Sequence, residues 1–369
     1  MFDLTRHPRL LKLLSWFDRA SAIVQRRNAG RSESDRHQST FYAKIWREAA
    51  ATLGATITPL GGDVFEICLG EARTRVSQNM TSIDDMATSC VARTKPVIYG
   101  LLNQHGISTP RYRVFPIEDM AAGVAFLESI QGDCVVKPAS GTGGGIGVTT
   151  GVRTRWQFAR AAFAAAAHGD EVLIEEQAKG DDYRLLYLDG VLIDAVMRKP
   201  PTVTADGRAS LLDLIRGANA ERASRGAEVA QRLLTFDMDM KNTLAKQGYT
   251  LASVPPAGRE VKVKTAINEN VGDGNISARD LICEAVAAEG ARASALAGVR
   301  LAGVDVIMSN PRVPLQESGG VILEVNSPPG YYWHYHKRDG VFPVALHVLR
   351  SLLHVPQSDE MCCLPSSAN

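Results

Sequence analysis

The sequence predicts a chain of mixed α+β and α/β structure, in which a small α/β unit precedes a larger β-rich domain with covering helices. Three observations carry that prediction. Short helical and strand patterns alternate from Thr40 to about Ile117. A strand, a glycine-rich loop and a helix follow one another between Asp133 and Gly169. Two apolar strand patterns then meet at Asp189-Gly190, a pair that tolerates the positive φ of a tight hairpin turn. The 369 residues, 45% of them apolar, suffice for one large core or several smaller ones.

Taken in order, residues 1–39 join an amphipathic segment, "RLLKLLSWFDRASAIV", to a polar stretch read as a mobile linker. The small α/β unit spans 40–117, with "FYAKIWREAAATLGA" as a helix and "DVFEICLG" as a strand. "KPVIYGLLNQHGISTP" reads as a helix capped by Gly106. The larger domain, 118–350, opens with the buried strand "DCVVKP" and the helix "RWQFARAAFAAAAHG". The strand "EVLIEEQ" and the hairpin "YRLLYLDGVLIDAVMR" follow, and Ala205 to Gly248 is polar and helical. "EVKVKTAI" alternates as a strand, "SARDLICEAVAAEGARASALAG" is a long helix, and "GVDVIMSN" with "GGVILEVNSPPG" forms a strand pair. Residues 351–369 read as a tail.

Composition excludes several function classes. The formal net charge is +1 with both signs interspersed, which argues against nucleic acid as a partner. No run resembles a membrane span or a signal peptide, so a cytoplasmic protein is expected. The six cysteines, at 68, 90, 134, 283, 362 and 363, lack the spacing of a zinc site or a disulfide framework.

Chemistry concentrates in three places. In "CVVKPASGTGGGIGV", glycines at 141, 143, 144, 145 and 147 offer exposed amides beside Lys137, which suits phosphate oxygens. No Gly-Lys-Ser/Thr follows, which excludes a Walker loop, and the acidic residue of a dinucleotide fingerprint is missing. Glu324 and Asn326 stand two apart on a strand and share a face, and Asp305 joins them if the two strands pair. Three hard oxygen ligands suit Mg²⁺. "LIEEQAKGDDYRLLYLDG" sets acids at a strand end before an arginine, an arrangement open to an adenine edge and a ribose, or to no more than a charged loop. The aromatic run "GYYWHYHKRDG" is open between a core cluster and the lining of an acceptor pocket; its two histidines lack a third ligand at zinc spacing.

In this order the pieces resemble the ATP-grasp superfamily of carboxylate–amine ligases, and in detail the ATP-grasp portion of cyanophycin synthetase and the glutathione-synthetase-like ligases. The resemblance covers roughly residues 90 to 345 and includes "TKPVIYGLLNQHGISTP", "INENVGDGN" and "GVDVIM" with "GGVILEVNSPPG". It implies two α+β subdomains gripping ATP behind a small pre-ATP-grasp domain. It assigns Lys95, Lys137, Gly143, Gly144 and Gly145 to the ATP phosphates, Glu175, Glu176, Gln177 and Ala178 to adenine, and Asp182 to ribose. Arg184, Arg198, Asn270 and Lys264 fall to catalysis; Asp305, Glu324 and Asn326 fall to Mg²⁺, two ions by analogy, with Mn²⁺ as an alternative.

Some positions depart from the pattern. Asn268 competes with Asn270, Lys262 with Lys264, and Asp182 replaces a glutamate. The Mur-ligase-like domain of cyanophycin synthetase has no counterpart, so cyanophycin polymerisation is not implied. The implied activity is an ADP-forming amide ligation through an acylphosphate, on amino acids or peptides, by a homodimer. A ligase tailoring a ribosomal peptide and a catalytically silent ATP-binding module are the alternatives.

Overall fold

The computed structural model describes residues 33–142, 145–225, 233–267 and 269–356. The amphipathic segment near the N-terminus lies outside them, as do Gly143, Gly144, Asn268, Cys362 and Cys363.

The chain opens with α1 (Glu33–Leu53) and an antiparallel meander of β1 (Thr56–Gly61), β2 (Val64–Leu69) and β3 (Ala72–Ser77). Next come α2 (Met86–Ala92), α3 (Lys95–Gln104), β4 (Tyr112–Pro116), α4 (Met120–Ser129), β5 (Cys134–Pro138) and β6 (Thr149–Val152). After α5 (Arg155–Ala166) and β7 (Glu171–Glu176), the long hairpin β8 (Asp181–Leu188) and β9 (Val191–Arg198) turns at Asp189 and Gly190, whose φ values are +52° and +79°.

A smaller helical unit follows, with β10 (Thr202–Thr204), α6 (Leu211–Ser224), α7 (Met238–Lys246) and β11 (Glu260–Lys262). The chain then runs through β12 (Ile276–Ser277), α8 (Glu284–Leu296), β13 (Leu301–Met308), α9 (Leu315–Ser318), β14 (Val321–Asn326), α10 (Tyr332–Tyr335) and α11 (Val344–Leu352).

Two antiparallel sheets organise the molecule: a four-stranded one in the order β4-β7-β5-β6 and a five-stranded one in the order β12-β9-β8-β13-β14. The first is covered by α4 and α5, through Phe115, Phe158 and the alanines of α5. Helix α5 is set in place by a reciprocal capping box between Thr154 and Gln157. The second sheet is buried on both faces. Tyr183, Leu185 and Tyr187 point towards α3 and α8, whereas Leu186 and Leu188 point towards α1, β2 and α11.

Several sequence expectations shift here. The stretch read as linker is helical from Glu33: Glu33–Ser39 holds no Gly or Pro to interrupt the helix that buries Phe41, Tyr42, Ile45 and Trp46. Position 40 therefore lies inside α1. The small unit shares its core with the five-stranded sheet instead of standing apart, and β4, which precedes position 118, pairs with β7 in the four-stranded sheet. The start of the expected tail is packed: Leu352, Leu353 and Val355 reach the same core as α1. The long helix begins at Glu284 instead of Ser277, and "EVKVKTAI" is a strand only over Glu260–Lys262. The four described cysteines are free, and no described helix is long and apolar enough to cross a membrane.

Candidate active site

A cavity of about 910 Å³ opens between the two sheets. On the five-stranded sheet its floor follows from register alone. Asp305 stands directly opposite Glu324 on β14 and Arg184 on β8, while Asp182 stands opposite Arg198 on β9. Cross-strand partners share a face, so the period-two reading of Glu324, Asn326 and Asp305 holds in the fold. Arg184 forks onto both Asp305 oxygens, with Nη2 donating to Oδ2 at 2.9 Å. Arg198 bridges Asp182 at 2.6 Å and Asp305 at 3.1 Å. The two guanidinium groups hold the Asp305 carboxyl below its usual range despite burial, whereas burial and the nearby Asp305 charge push Asp182 up to about 6. Gly303 makes room for this fork: a Cβ there would lie 2.9 Å from Pro329 Cβ and 3.1 Å from Arg184 Nη1.

The four-stranded sheet supplies the opposite wall. Lys137 Nζ lies 2.6 Å from Glu175 Oε1 and donates to the Tyr99 hydroxyl at 3.2 Å. That hydroxyl is also within hydrogen-bonding distance of Glu175 Oε2, at 2.9 Å, and of the Leu323 carbonyl, at 3.0 Å, so Tyr99 ties the two sheets together. Burial lowers the Lys137 ammonium pKa, and Lys95 lowers it further, while Glu175 opposes the shift. Lys95, in the first turn of α3, reaches Glu324 Oε1 at 3.1 Å. From the glycine-rich loop, Thr142, Gly145 and Val148 line the cavity. Gly147, at φ +76°, could not carry a Cβ without crowding His168 and Pro138 at 3.0 Å.

The remaining expected residues divide. Gln177 and Ala178 line the cavity, and the Gln177 side-chain oxygen Oε1 accepts from the Gly151 N–H at 2.8 Å. Glu175 is spent on Lys137 and Tyr99, and Glu176, the next residue on the strand, points outward to solvent. Asn270 and Lys264 are not at the cavity. The Asn270 amide donates to the Lys199 carbonyl at 2.6 Å and to Asn275 Oδ1 at 2.7 Å, and its oxygen accepts from Gly272 N–H at 2.7 Å, which braces a loop. Lys264 is buried among Asp237, Glu269 and Thr235, all within 2.9 Å, whereas Lys262 lines the cavity. Strand parity could not have separated the two lysines, which stand two apart; what separates them is that β11 ends at Lys262, so Lys264 leaves the strand and turns inward. Tyr99 gave no signal in the sequence, because its role depends on α3 packing across both sheets.

Two carboxylates and an asparagine on one face form an oxygen donor set suited to a hard divalent cation. The carboxylates already face positive charge, Lys95 against Glu324 and the two arginines against Asp305, so the corner is built for ionised oxygens. Among the described residues no group of three or more His, Cys, Asp and Glu side chains is arranged to hold a metal.

No family model matches the chain. Among solved structures it is similar to a bifunctional glutathione synthetase from Pasteurella multocida, with a TM-score of 0.52 and 23% identity over 82% of this chain and 44% of that one. The chain has the ATP-grasp fold. Sequence relatives accord with it. An ATP-grasp segment of 282 residues, 75% of the chain and 31% of the relative, is 27% identical to cyanophycin synthetase of Trichormus variabilis. Over 276 residues, 73% of the chain and 35% of the relative, it is 25% identical to the glutathione biosynthesis bifunctional protein GshAB of Desulfotalea psychrophila. The chain thus spans about a third of the length of these curated relatives. What the fold contributes is the cleft between two antiparallel sheets.

Proposed function

We propose that this chain is an ATP-dependent, ADP-forming ligase that joins a carboxylate to an amine, on amino-acid or peptide substrates. One observation carries the reading: Lys95, Lys137, Arg184 and Arg198 converge from both sheets on a cleft that also presents Asp305, Glu324 and Asn326. That mixture suits a polyphosphate and its divalent cation, because the cations neutralise phosphate oxygens and the oxygen donors hold the metal. The similarity to cyanophycin synthetase and GshAB supports the same class.

In this mechanism ATP lies between the sheets, with its adenine near Gln177 and Ala178 and its phosphates against Lys95, Lys137 and the amide-rich loop before Val148. Asp305, Glu324 and Asn326 would hold Mg²⁺, which when bound neutralises phosphate charge. Transfer of the γ-phosphoryl group to the substrate carboxylate gives an acylphosphate and ADP; attack by the amine then releases phosphate and forms the amide. The protein's part is positioning and charge stabilisation, with no side-chain nucleophile required. Arg184 and Arg198 stabilise the charge of the transferring group, and the fork with Asp305 keeps Arg184 oriented before substrate arrives.

The direct test is release of ADP and phosphate from Mg-ATP across pooled amino acids and dipeptides, with mass spectrometry of each active pool. The expected result is substrate-dependent release with a product mass equal to two substrates less water. Tight Mg-ATP binding with no release in any pool would count against the ligase reading, and a phosphorylated product without condensation would point to a kinase.

A further inference from the structure

One part of the cavity wall is unlike the rest. It is formed by Gln38 and the nearly buried Phe41 and Tyr42 from α1 and by Tyr332 and Trp333 from α10, whose rings touch one another. These rings are locked together: Phe41 meets Tyr332 edge-on at 5.8 Å, Tyr332 meets Trp333 at 5.0 Å and 84°, and His336 stacks on one face of Tyr332 at 3.9 Å, leaving its other face and Trp333 for a ligand. The turn that presents them is fastened from beneath. Asp194 on β9 pairs with His334 Nδ1 at 2.7 Å and with Lys337 Nζ at 3.0 Å, and the Tyr42 hydroxyl accepts the Tyr331 N–H at 3.1 Å. Trp333 itself is only partly covered and borders the open space.

Charge decides what could sit there. Seven basic and five acidic side chains line the whole cavity, and each of the five acids lies against a cation: Glu175 with Lys137, Asp181 with Lys199, Asp182 with Arg198, Asp305 with both arginines, Glu324 with Lys95. None of them lies among the aromatic residues; the carboxylate that acts on Tyr332, Asp273, is itself paired with Arg225 at 3.0 Å, with Arg222 also near, and Arg184 acts on Tyr42. A cationic side chain would enter a positive field without an unengaged carboxylate to meet it, whereas a neutral ring would gain edge and face contacts on Tyr332 and Trp333.

We propose that Gln38, Phe41, Tyr42, Tyr332 and Trp333 form a side-chain subsite that selects an aromatic group on one of the two organic substrates, with α1 as a specificity element. The proposal rests on the ligase reading. Trp333 is the residue through which it can be tested without opening the core, and Asp194 and His334 are positioning residues that hold its turn.

The experiment compares phenylalanine, tyrosine and tryptophan, free and as dipeptides, with alanine, aspartate, lysine and arginine in ADP release, in the full chain and in Trp333→Ala and Trp333→Phe, with Mg-ATP affinity measured by calorimetry alongside. The expected result is a preference for aromatic substrates in the parent protein. Trp333→Ala should raise KM for them about tenfold, the worth of one aromatic pair, with Mg-ATP affinity unchanged, and Trp333→Phe should restore most of the loss. Turnover that prefers lysine or arginine, or an aromatic preference that Trp333→Ala leaves intact, would overturn this inference and spare the ligase reading. Absence of turnover with every substrate despite bound Mg-ATP would remove both.

Discussion

The two walls of the cleft solve the same problem, holding positive charge against buried carboxylates, with different chemistry. On the four-stranded sheet Lys137 meets Glu175 diagonally across β5 and β7 and shares the Tyr99 hydroxyl. On the five-stranded sheet Arg184 lies directly opposite Asp305 in register and grips it with a planar fork. An ammonium is a compact charge whose proton affinity falls on burial, so Lys137 depends on Glu175 to stay charged. A guanidinium keeps its charge at any accessible pH and fixes direction as well as sign. The lysine wall is therefore adjustable, suited to a ligand that arrives and leaves, and the arginine wall is preset.

The most severe way to break this comparison is at the preset wall. Arg184→Ala strips Asp305 of its fork and leaves a buried carboxylate underpaired; it should cost about 3–5 kcal/mol of stability and lower turnover by about two to three orders of magnitude. Thermal melts and phosphate release check both. Arg184→Lys should recover charge without the bidentate geometry and regain only part of either; full recovery would mean that orientation is unimportant. Gly303→Ala should act in the same direction by crowding Arg184 Nη1.

At the adjustable wall, Lys137→Met should weaken Mg-ATP binding by about 10- to 100-fold, in line with losing a buried charge-assisted contact, with less effect on the melting temperature than Arg184→Ala. Calorimetric titration measures the first. Equal melting losses at the two walls would erase the distinction.

A group outside both networks sharpens the point. His347 is buried with neither ring nitrogen hydrogen-bonded, and burial pushes its pKa down to about 4. Above its ordinary value of 6.5 it is neutral in folded and unfolded chains alike. As the pH falls from 6.5 towards 4, the unfolded state takes up the proton first, so this group's contribution to stability is lost across that window. His347→Phe should flatten the decline of melting temperature there; an unchanged slope would place the titrating group elsewhere.

The smallest expected effect is Tyr99→Phe, which removes the hydroxyl joining Lys137, Glu175 and Leu323. About 1–2 kcal/mol should be lost, read from the midpoint of chemical denaturation, and turnover should persist.

Some of this was legible before the fold was known. The shared face of Asp305, Glu324 and Asn326 on the β13–β14 pair follows from a period of two, and the hairpin at Asp189-Gly190 from the positive φ that this pair tolerates. That the Lys137 strand ends at a loop was legible too, because so dense a run of glycines does not continue a strand. Asn270 and Lys264 were misleading, since residue type and rough position do not say whether a side chain is spent on its own loop.

The sequence by itself determined the strands, their polar faces and the local turns, because those depend on periodicity and φ preference within a few residues. Only the tertiary structure decided which cations meet which carboxylates, that Tyr99 bridges two sheets, and that α1 supplies a wall of the cavity. Those contacts join residues tens to hundreds of positions apart, and their pairing is set by how the sheets and helices pack.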